Sequence, residues 1–145
     1  MFLKFKMAEI NVVVNDVKNG KSYSIKVEST KLAGKKIGEK LKGNTIGLGD
    51  YEFDITGGSD RSGFPMRKDI EGVGKKKILI SKGVGLRKIK VKGYRTKKSV
   101  RGNTIGVNTA QVNIKVSKYG SKKLDELIGK EVKVEKEEKK EVKEK

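Results

Sequence analysis

Apolar residues occur in short runs that alternate with polar residues, a pattern typical of β-strands with one buried face. The first two runs cover residues 10–14 and 23–27, and the turn sequence Asn19-Gly20 lies between them. Because Asn-Gly is favoured in tight hairpin turns, we predict an opening β-hairpin.

Further short strands are predicted at residues 45–48, 51–55, 77–81, 100–107 and 111–116, the last two as a pair, and residues 84–91 are predicted to be extended. Leu32, Ile37 and Leu41 favour a short helix, which Gly34 and Gly38 weaken. The expected fold is mainly β: a small barrel-like domain of short, mostly antiparallel strands, with one or two short helices and a charged C-terminal tail.

With 145 residues and 16.1 kDa, the chain is long enough for one domain with a single core. We predict an N-terminal extension at residues 1–7, with Met7 as the alternative start, and a barrel-like domain at residues 8–120. Residues 121–145 are predicted to form a short helix around Leu124, Leu127 and Ile128, followed by a Glu/Lys-rich tail that is either a solvated helix or disordered.

The composition excludes several classes of function. There is no Cys and no His, which removes disulfides, thiol nucleophiles, the common zinc sites and imidazole catalysis. No apolar run approaches the roughly 20 residues of a membrane span. We therefore expect an unexported, cytoplasmic protein that is not an enzyme and needs no metal, cofactor, small-molecule substrate or membrane.

The net charge of +18 is concentrated in the middle of the chain. Between Glu71 and Asp125 there are 16 basic residues and no acidic residue. A solvated surface normally mixes both signs, whereas a one-signed surface repels itself until a polyanion neutralises it. Nucleic acid is therefore the expected partner.

Two segments supply candidate contacts to RNA. In residues 83–101, basic and apolar residues alternate before a basic loop, and the candidates are Arg87, Lys88, Lys90, Lys92, Tyr94, Arg95, Lys97, Lys98 and Arg101. Arginine forks bind phosphates and stack on bases, which singles out the three arginines. Tyr94 is either a stacking surface or a core residue.

The second segment, residues 56–67, contains three glycines and the only proline. Its candidates, with the lysine that follows, are Gly57, Gly58, Arg61, Gly63, Arg67 and Lys68. Glycines allow close approach to phosphates, but the segment lacks the Gly-Lys-Ser/Thr ending of a P-loop, which disfavours a nucleotide site. Alternatively, Phe64 and Met66 plug the barrel end and the glycines form turns.

The segments TGGSDRSGFPMR (56–67) and KKSVRGNTI (97–105), with ISKG (80–83) between them, resemble the family of small-subunit ribosomal protein six of archaea and eukaryotes. The resemblance implies a component of the small ribosomal subunit whose barrel-like domain contacts ribosomal RNA and neighbouring ribosomal proteins. Eukaryotic members end in a phosphorylated serine-rich tail. This chain has no Ser after Ser121, so it resembles the short archaeal form and phosphorylation control is not transferred.

The sequence is therefore consistent with three functions. The favoured one is a structural, RNA-binding constituent of the small ribosomal subunit that supports translation. The first alternative is a non-ribosomal RNA-binding protein or RNA chaperone on the same scaffold. The second alternative, a nucleotide-processing enzyme, rests only on Asp50, Glu52, Asp54 and Asp60, which occupy alternate strand positions and loops where carboxylates are normally solvated.

Overall fold

The computed structural model describes residues 9–86, 91–121, 124, 127 and 128. The predicted extension at residues 1–7 and the Glu/Lys-rich tail after Ile128 lie outside these residues. The elements in chain order are β1 (Glu9–Asp16), β2 (Lys21–Glu28), α1 (Ser29–Leu32), β3 (Lys40–Lys42), a 3-10 helix (Gly43–Ile46), β4 (Glu52–Asp60), β5 (Lys75–Ile80), β6 (Thr96–Arg101) and β7 (Thr109–Lys118).

The predicted opening hairpin is confirmed. β1 and β2 pair in antiparallel register with Val12 opposite Ile25, and both side chains are buried. Gly20 at the tip has a φ of +64°, a left-handed conformation that glycine adopts without a Cβ clash. Alternation of buried and exposed residues along β1 gives the sheet one core face and one polar face.

Five strands form the main sheet in the order β2-β1-β7-β4-β3, and β5 and β6 form a separate two-stranded antiparallel ribbon. Among the strand pairs of the described residues, β1 with β7 is the parallel one, and the others are antiparallel. The prediction of a mainly β, mostly antiparallel chain is therefore confirmed. The sheet is not a closed barrel, because β2 and β3 lie at its two edges and no strand of the described residues joins them.

The barrel was expected to include a strand at residues 100–107 paired with residues 111–116, and this pairing is wrong. β6 pairs with β5, and β7 lies between β1 and β4. The intervening residues bind two other segments: the Asn103 N–H donates to the Ile70 carbonyl at 2.7 Å, and the Ile105 N–H donates to the Lys35 carbonyl at 2.8 Å. These long-range partners could not be deduced from local alternation.

Three other local predictions differ from the structure. Residues 45–48 lie partly in the 3-10 helix and not in a strand, because the turn closes with the Leu48 N–H on the Gly43 carbonyl at 2.9 Å. The helix expected over residues 32–41 does not form: α1 ends at Leu32, and Gly34 and Gly38 adopt left-handed conformations with φ of +82° and +94°. Residues 83–86 form a turn, with the Leu86 N–H 3.1 Å from the Gly83 carbonyl, so the extended segment predicted at 84–91 does not start there.

One hydrophobic core lies against the inner face of the main sheet. Its fully buried members include Val12, Phe53 and Ile114. Leu124 and Ile128, which have helical backbone, are buried in the same core. The C-terminal end of the described chain therefore packs on the domain.

A buried carboxylate, that of Asp16, lies at the end of β1. Asp16 accepts hydrogen bonds from the Tyr119 hydroxyl at 2.8 Å, the Lys18 N–H at 3.0 Å and the Asn19 Nδ2 at 2.7 Å. Burial acts to raise the pKa of Asp16, but these hydrogen bonds to the ionised form outweigh it and lower the pKa below 3.8. The site thus joins the first hairpin to the end of β7.

We predict that Asp16→Asn lowers the melting temperature at neutral pH. Because the folded-state pKa of Asp16 is lowered, its stabilisation is complete above pH 3.8 and is lost as the pH falls through the folded-state value. The difference between variant and wild type should therefore shrink in thermal unfolding measured at decreasing pH. Tyr119→Phe, which removes one of the hydrogen bonds, should show a smaller difference with the same pH trend. Equal melting temperatures at neutral pH would contradict this assignment.

Candidate nucleic-acid interface

The β5–β6 ribbon carries a dense set of exposed cations. Its five exposed lysines are Lys75, Lys76, Lys77, Lys97 and Lys98. Cross-strand partners share a face, and so do residues two positions apart on one strand. Leu79, its partner Lys97 and Lys77 therefore lie on the same face of the ribbon. Lys76 and Lys98 lie on the other face.

These lysines are not neutralised within the described part of the protein. No described carboxylate lies within 4.0 Å of Lys76, Lys77, Lys97 or Lys98. In contrast, two lysines of β7 have partners: the Lys115 Nζ is 3.7 Å from Asp54, and the Lys118 Nζ is 3.0 Å from Glu52. The acidic residues therefore offset charge on the main sheet and leave the ribbon positive.

The connection between β5 and β6 extends this basic surface. Lys82, Lys92 and Arg95 are exposed there. Tyr94 is 48% exposed and ends a turn in which its N–H lies 3.4 Å from the Val91 carbonyl. It is accessible to a ligand and is not a core residue. Arg87, Lys88 and Lys90 lie outside the described residues.

The glycine-rich segment is a bulged strand and a tight turn. Gly57 and Gly58 belong to β4 and lie opposite Asn113 and Val112 of β7, with a register shift between Ile55 and Gly57. A Cβ at Gly58 would overlap the Gln111 carbonyl oxygen and come within 3.1 Å of the Met66 sulfur, whereas a Cβ at Gly57 would meet nothing within 4 Å. Gly58 is thus needed for packing, and Gly57 leaves an open surface.

The turn that follows exposes some of its side chains and buries others. Gly63 has a φ of +79°, and its N–H donates to the Asp60 carbonyl at 2.9 Å. Arg61 and Lys68 are exposed, whereas Met66 is only 3% exposed and belongs to the main core. Met66 is therefore buried, but it packs in the core of an open sheet and Phe64 is only half-buried, so the two residues do not plug a barrel end.

Arg67 is engaged within the protein. Its Nε and Nη2 donate to the two carboxylate oxygens of Asp69 at 3.0 and 2.7 Å, and its Nη1 donates to the Val84 carbonyl at 3.2 Å. The hydrogen bonds between the two side chains raise the pKa of Arg67 and lower that of Asp69. Arg67 therefore holds the turn at residues 83–86 beside the ribbon.

Arg101 is 6% exposed, and its guanidinium donates a hydrogen bond to the buried carboxylate of Asp60. Its backbone is also fixed: the Arg101 N–H donates to the Pro65 carbonyl at 2.9 Å, and the Arg67 N–H donates to the Arg101 carbonyl at 3.0 Å. The side chain thus faces inward, and Arg101 links the ribbon to β4. Sequence reasoning missed this role.

The sequence-based set also omits three lysines that the structure brings beside Lys97 and Lys98. Lys75, Lys76 and Lys77 form the start of β5, and the Lys75 Nζ lies 4.1 Å from the centre of the Phe64 ring. Their signal was present, because they lie in the stretch without acidic residues. A lysine run without arginine or glycine carries no further local mark of an RNA contact, so the charge pattern was its one signal.

The four acidic residues of the enzyme alternative do not converge on one site. Asp60 binds Arg101, while Asp54 and Glu52 bind lysines of β7. Within the described ranges, no group of three or more Asp or Glu side chains is placed to hold a metal ion. No helix in the described part of the chain is both long and apolar enough to cross a membrane.

Comparison with known proteins assigns the sequence to a family. The sequence model of the family described as Ribosomal protein S6e matches residues 10–129. The chain belongs to the ribosomal protein S6e family. The resemblance inferred from the two signature segments is therefore confirmed.

Curated S6e relatives support the same assignment. The chain is 49% identical over 123 residues to a protein of Methanocaldococcus jannaschii, covering 85% of this chain and 93% of the relative. It is 44% identical over 124 residues to a protein of Archaeoglobus fulgidus, covering 83% and 95%. A Methanocella arvoryzae protein is 43% identical over 132 residues, covering 89% and 92%. All three are named small ribosomal subunit protein eS6.

The two adjacent glycines of the S6e chain provide a matched test of this geometry. We predict that Gly58→Ala destabilises the fold by about 1–3 kcal/mol, because its Cβ overlaps backbone on β7. Gly57→Ala should change stability by less than about 1 kcal/mol, since the added Cβ meets open space. Denaturant unfolding of both variants tests the prediction, and equal losses at the two positions would refute it.

Proposed function

We propose that this chain is a structural constituent of the small ribosomal subunit and that its β5–β6 ribbon binds ribosomal RNA. Family membership and the names of the relatives support the first part. The observation that carries the second part is the ribbon itself, whose exposed lysines lack carboxylate partners among the described residues. Phosphates of the RNA backbone supply the missing negative charge.

The candidate residues fall into two groups: those available to contact RNA and those that shape the surface. Exposed cations bind phosphates, Tyr94 offers a stacking surface, and the open surface at Gly57 allows close approach of the backbone. The described members are Gly57, Arg61, Lys68, Lys75, Lys76, Lys77, Lys82, Lys92, Tyr94, Arg95, Lys97 and Lys98. Arg67, Arg101, Gly58 and Gly63 have structural contacts of their own and serve to shape this surface.

The mechanism is charge neutralisation combined with shape recognition. Lysine is a point charge with no base-specific geometry, so a lysine-rich ribbon favours RNA shape over base sequence. The junction with the main sheet fixes the position of the ribbon, and the polar face and charged edges of the sheet remain for neighbouring ribosomal proteins. In this proposal the protein acts in the ribosome and performs no catalysis.

Sedimentation of native extract separates ribosomal from non-ribosomal RNA binding. The protein should sediment with the small subunit in a sucrose gradient and remain there at moderate salt. A control gradient of extract treated with ribonuclease should release it. Recovery only at the top of the gradient would favour a free RNA-binding protein or RNA chaperone.

We predict that the double variant Lys97→Ala/Lys98→Ala binds small-subunit ribosomal RNA more weakly and with a shallower salt dependence. Each lost phosphate contact lowers the slope of log K against log salt by about 0.7–0.9, so two contacts lower it by about 1.4–1.8. Filter binding across a salt series measures both quantities.

The matched control removes two lysines that already have carboxylate partners, Lys115→Ala/Lys118→Ala. It changes the net charge equally but should leave the slope close to that of the wild type. If both double variants lower the slope equally, binding depends on total charge and the ribbon is not the interface.

A further inference from the structure

The ribbon is joined to the rest of the protein at its base. Among the described strands, β5 and β6 pair only with each other. Ile80 and Val100 are buried, yet they lie outside the main core cluster and pack near Gly85 and Pro65. The orientation of the ribbon therefore does not follow from the main core and must be fixed at the junction.

Asp60 and Arg101 occupy that junction. Asp60 is the last residue of β4, where it lies opposite Thr109 of β7 and its N–H donates to the Phe64 carbonyl at 3.0 Å. Arg101 is the last residue of β6, and both side chains are at most 7% exposed. The ion pair thus connects the end of a strand of the main sheet to the end of a strand of the ribbon.

Arg101 depends strongly on this carboxylate. Its Nε is buried without a hydrogen-bond partner among the described residues, so Asp60 is the charged group that compensates the guanidinium. Removing one member of a buried pair leaves an unpaired buried charge, which is strongly unfavourable. Without Asp60, the guanidinium would gain by moving to water, and the base of the ribbon would loosen.

We propose that Asp60 is a positioning residue of the RNA-binding surface, which holds the ribbon in the one orientation that lets its lysines reach several phosphates at once. This inference rests on the proposed function of the ribbon. Electrostatics alone predicts that a protein binds a polyanion more tightly after losing a negative charge, whereas removal of the Asp60 carboxylate should weaken binding. A ribbon free to reorient pays an ordering cost on binding and engages fewer phosphates.

The test compares two identical chemical changes at different places. Asp60→Asn and Asp50→Asn both raise the net charge from +18 to +19, but Asp50 is exposed in the segment before β4. Asp60→Asn should bind in vitro transcribed small-subunit ribosomal RNA about tenfold more weakly. The slope of log K against log salt should fall by about 0.7–0.9, the value for one lost phosphate contact. Asp50→Asn should bind as tightly as the wild type or slightly more tightly.

Two further variants separate positioning from loss of fold. Asp60→Glu keeps the charge and should restore part of the affinity and slope. Arg101→Lys keeps both the net charge and the buried cation while losing the guanidinium geometry, so it replaces Asp60→Asn as the test if that variant does not fold. Circular dichroism and thermal unfolding establish that each variant is folded at the assay temperature.

The outcomes distinguish this inference from the proposed function. If folded Asp60→Asn or Arg101→Lys binds with the wild-type slope while Lys97→Ala/Lys98→Ala binds more weakly, Asp60 has no positioning role and the ribbon remains the interface. If the lysine variant also binds as the wild type does, the proposed function of the ribbon fails. The positioning role is supported if Asp60→Asn binds more weakly with a lower salt slope and Asp50→Asn keeps the wild-type affinity.

Discussion

The buried ion pair between Arg101 and Asp60 is the constraint on which the arrangement of this protein depends. The main sheet has its own hydrophobic core, whereas the ribbon is rich in lysine and buries few apolar side chains. Apolar packing alone is non-directional and gives a small ribbon little orientation. A buried guanidinium–carboxylate pair, supported by backbone hydrogen bonds on both sides of Arg101, is directional and fixes one geometry.

Acidic residues are also distributed unequally between the main sheet and the ribbon. Glu52 and Asp54 neutralise lysines on the main sheet, and Asp69 holds Arg67 beside the ribbon. The ribbon strands themselves contain no acidic residue. Like charges at this density repel each other. The ribbon therefore carries an electrostatic cost in the free protein that a polyanion relieves, so the same feature that limits its stability favours its proposed binding.

Local patterns predicted the parts of the fold that local chemistry decides. Asn19-Gly20 and the alternation on each side were sufficient for the first hairpin. The same reasoning failed at residues 100–107, because Asn103 and Ile105 pair with distant backbone at Ile70 and Lys35. The charge count likewise identified the basic middle of the chain, but residue type ranked Arg101 above Lys98 as a contact to RNA. The contact with Asp60, 41 positions away in the sequence, is what distinguishes the buried Arg101 from the exposed Lys98.

The glycine-rich segment shows why a signature need not mark the ligand contact itself. Its composition suggested a loop whose free N–H groups bind phosphates, yet Gly58 is required because β4 and β7 approach closely there. The same segment ends β4 at Asp60, turns at Gly63 and returns Pro65 to the backbone of Arg101. Its residue types are therefore those that a compact junction requires. A segment that builds this junction determines where the ribbon lies, and in that way it shapes the proposed RNA-binding surface without every residue having to contact RNA.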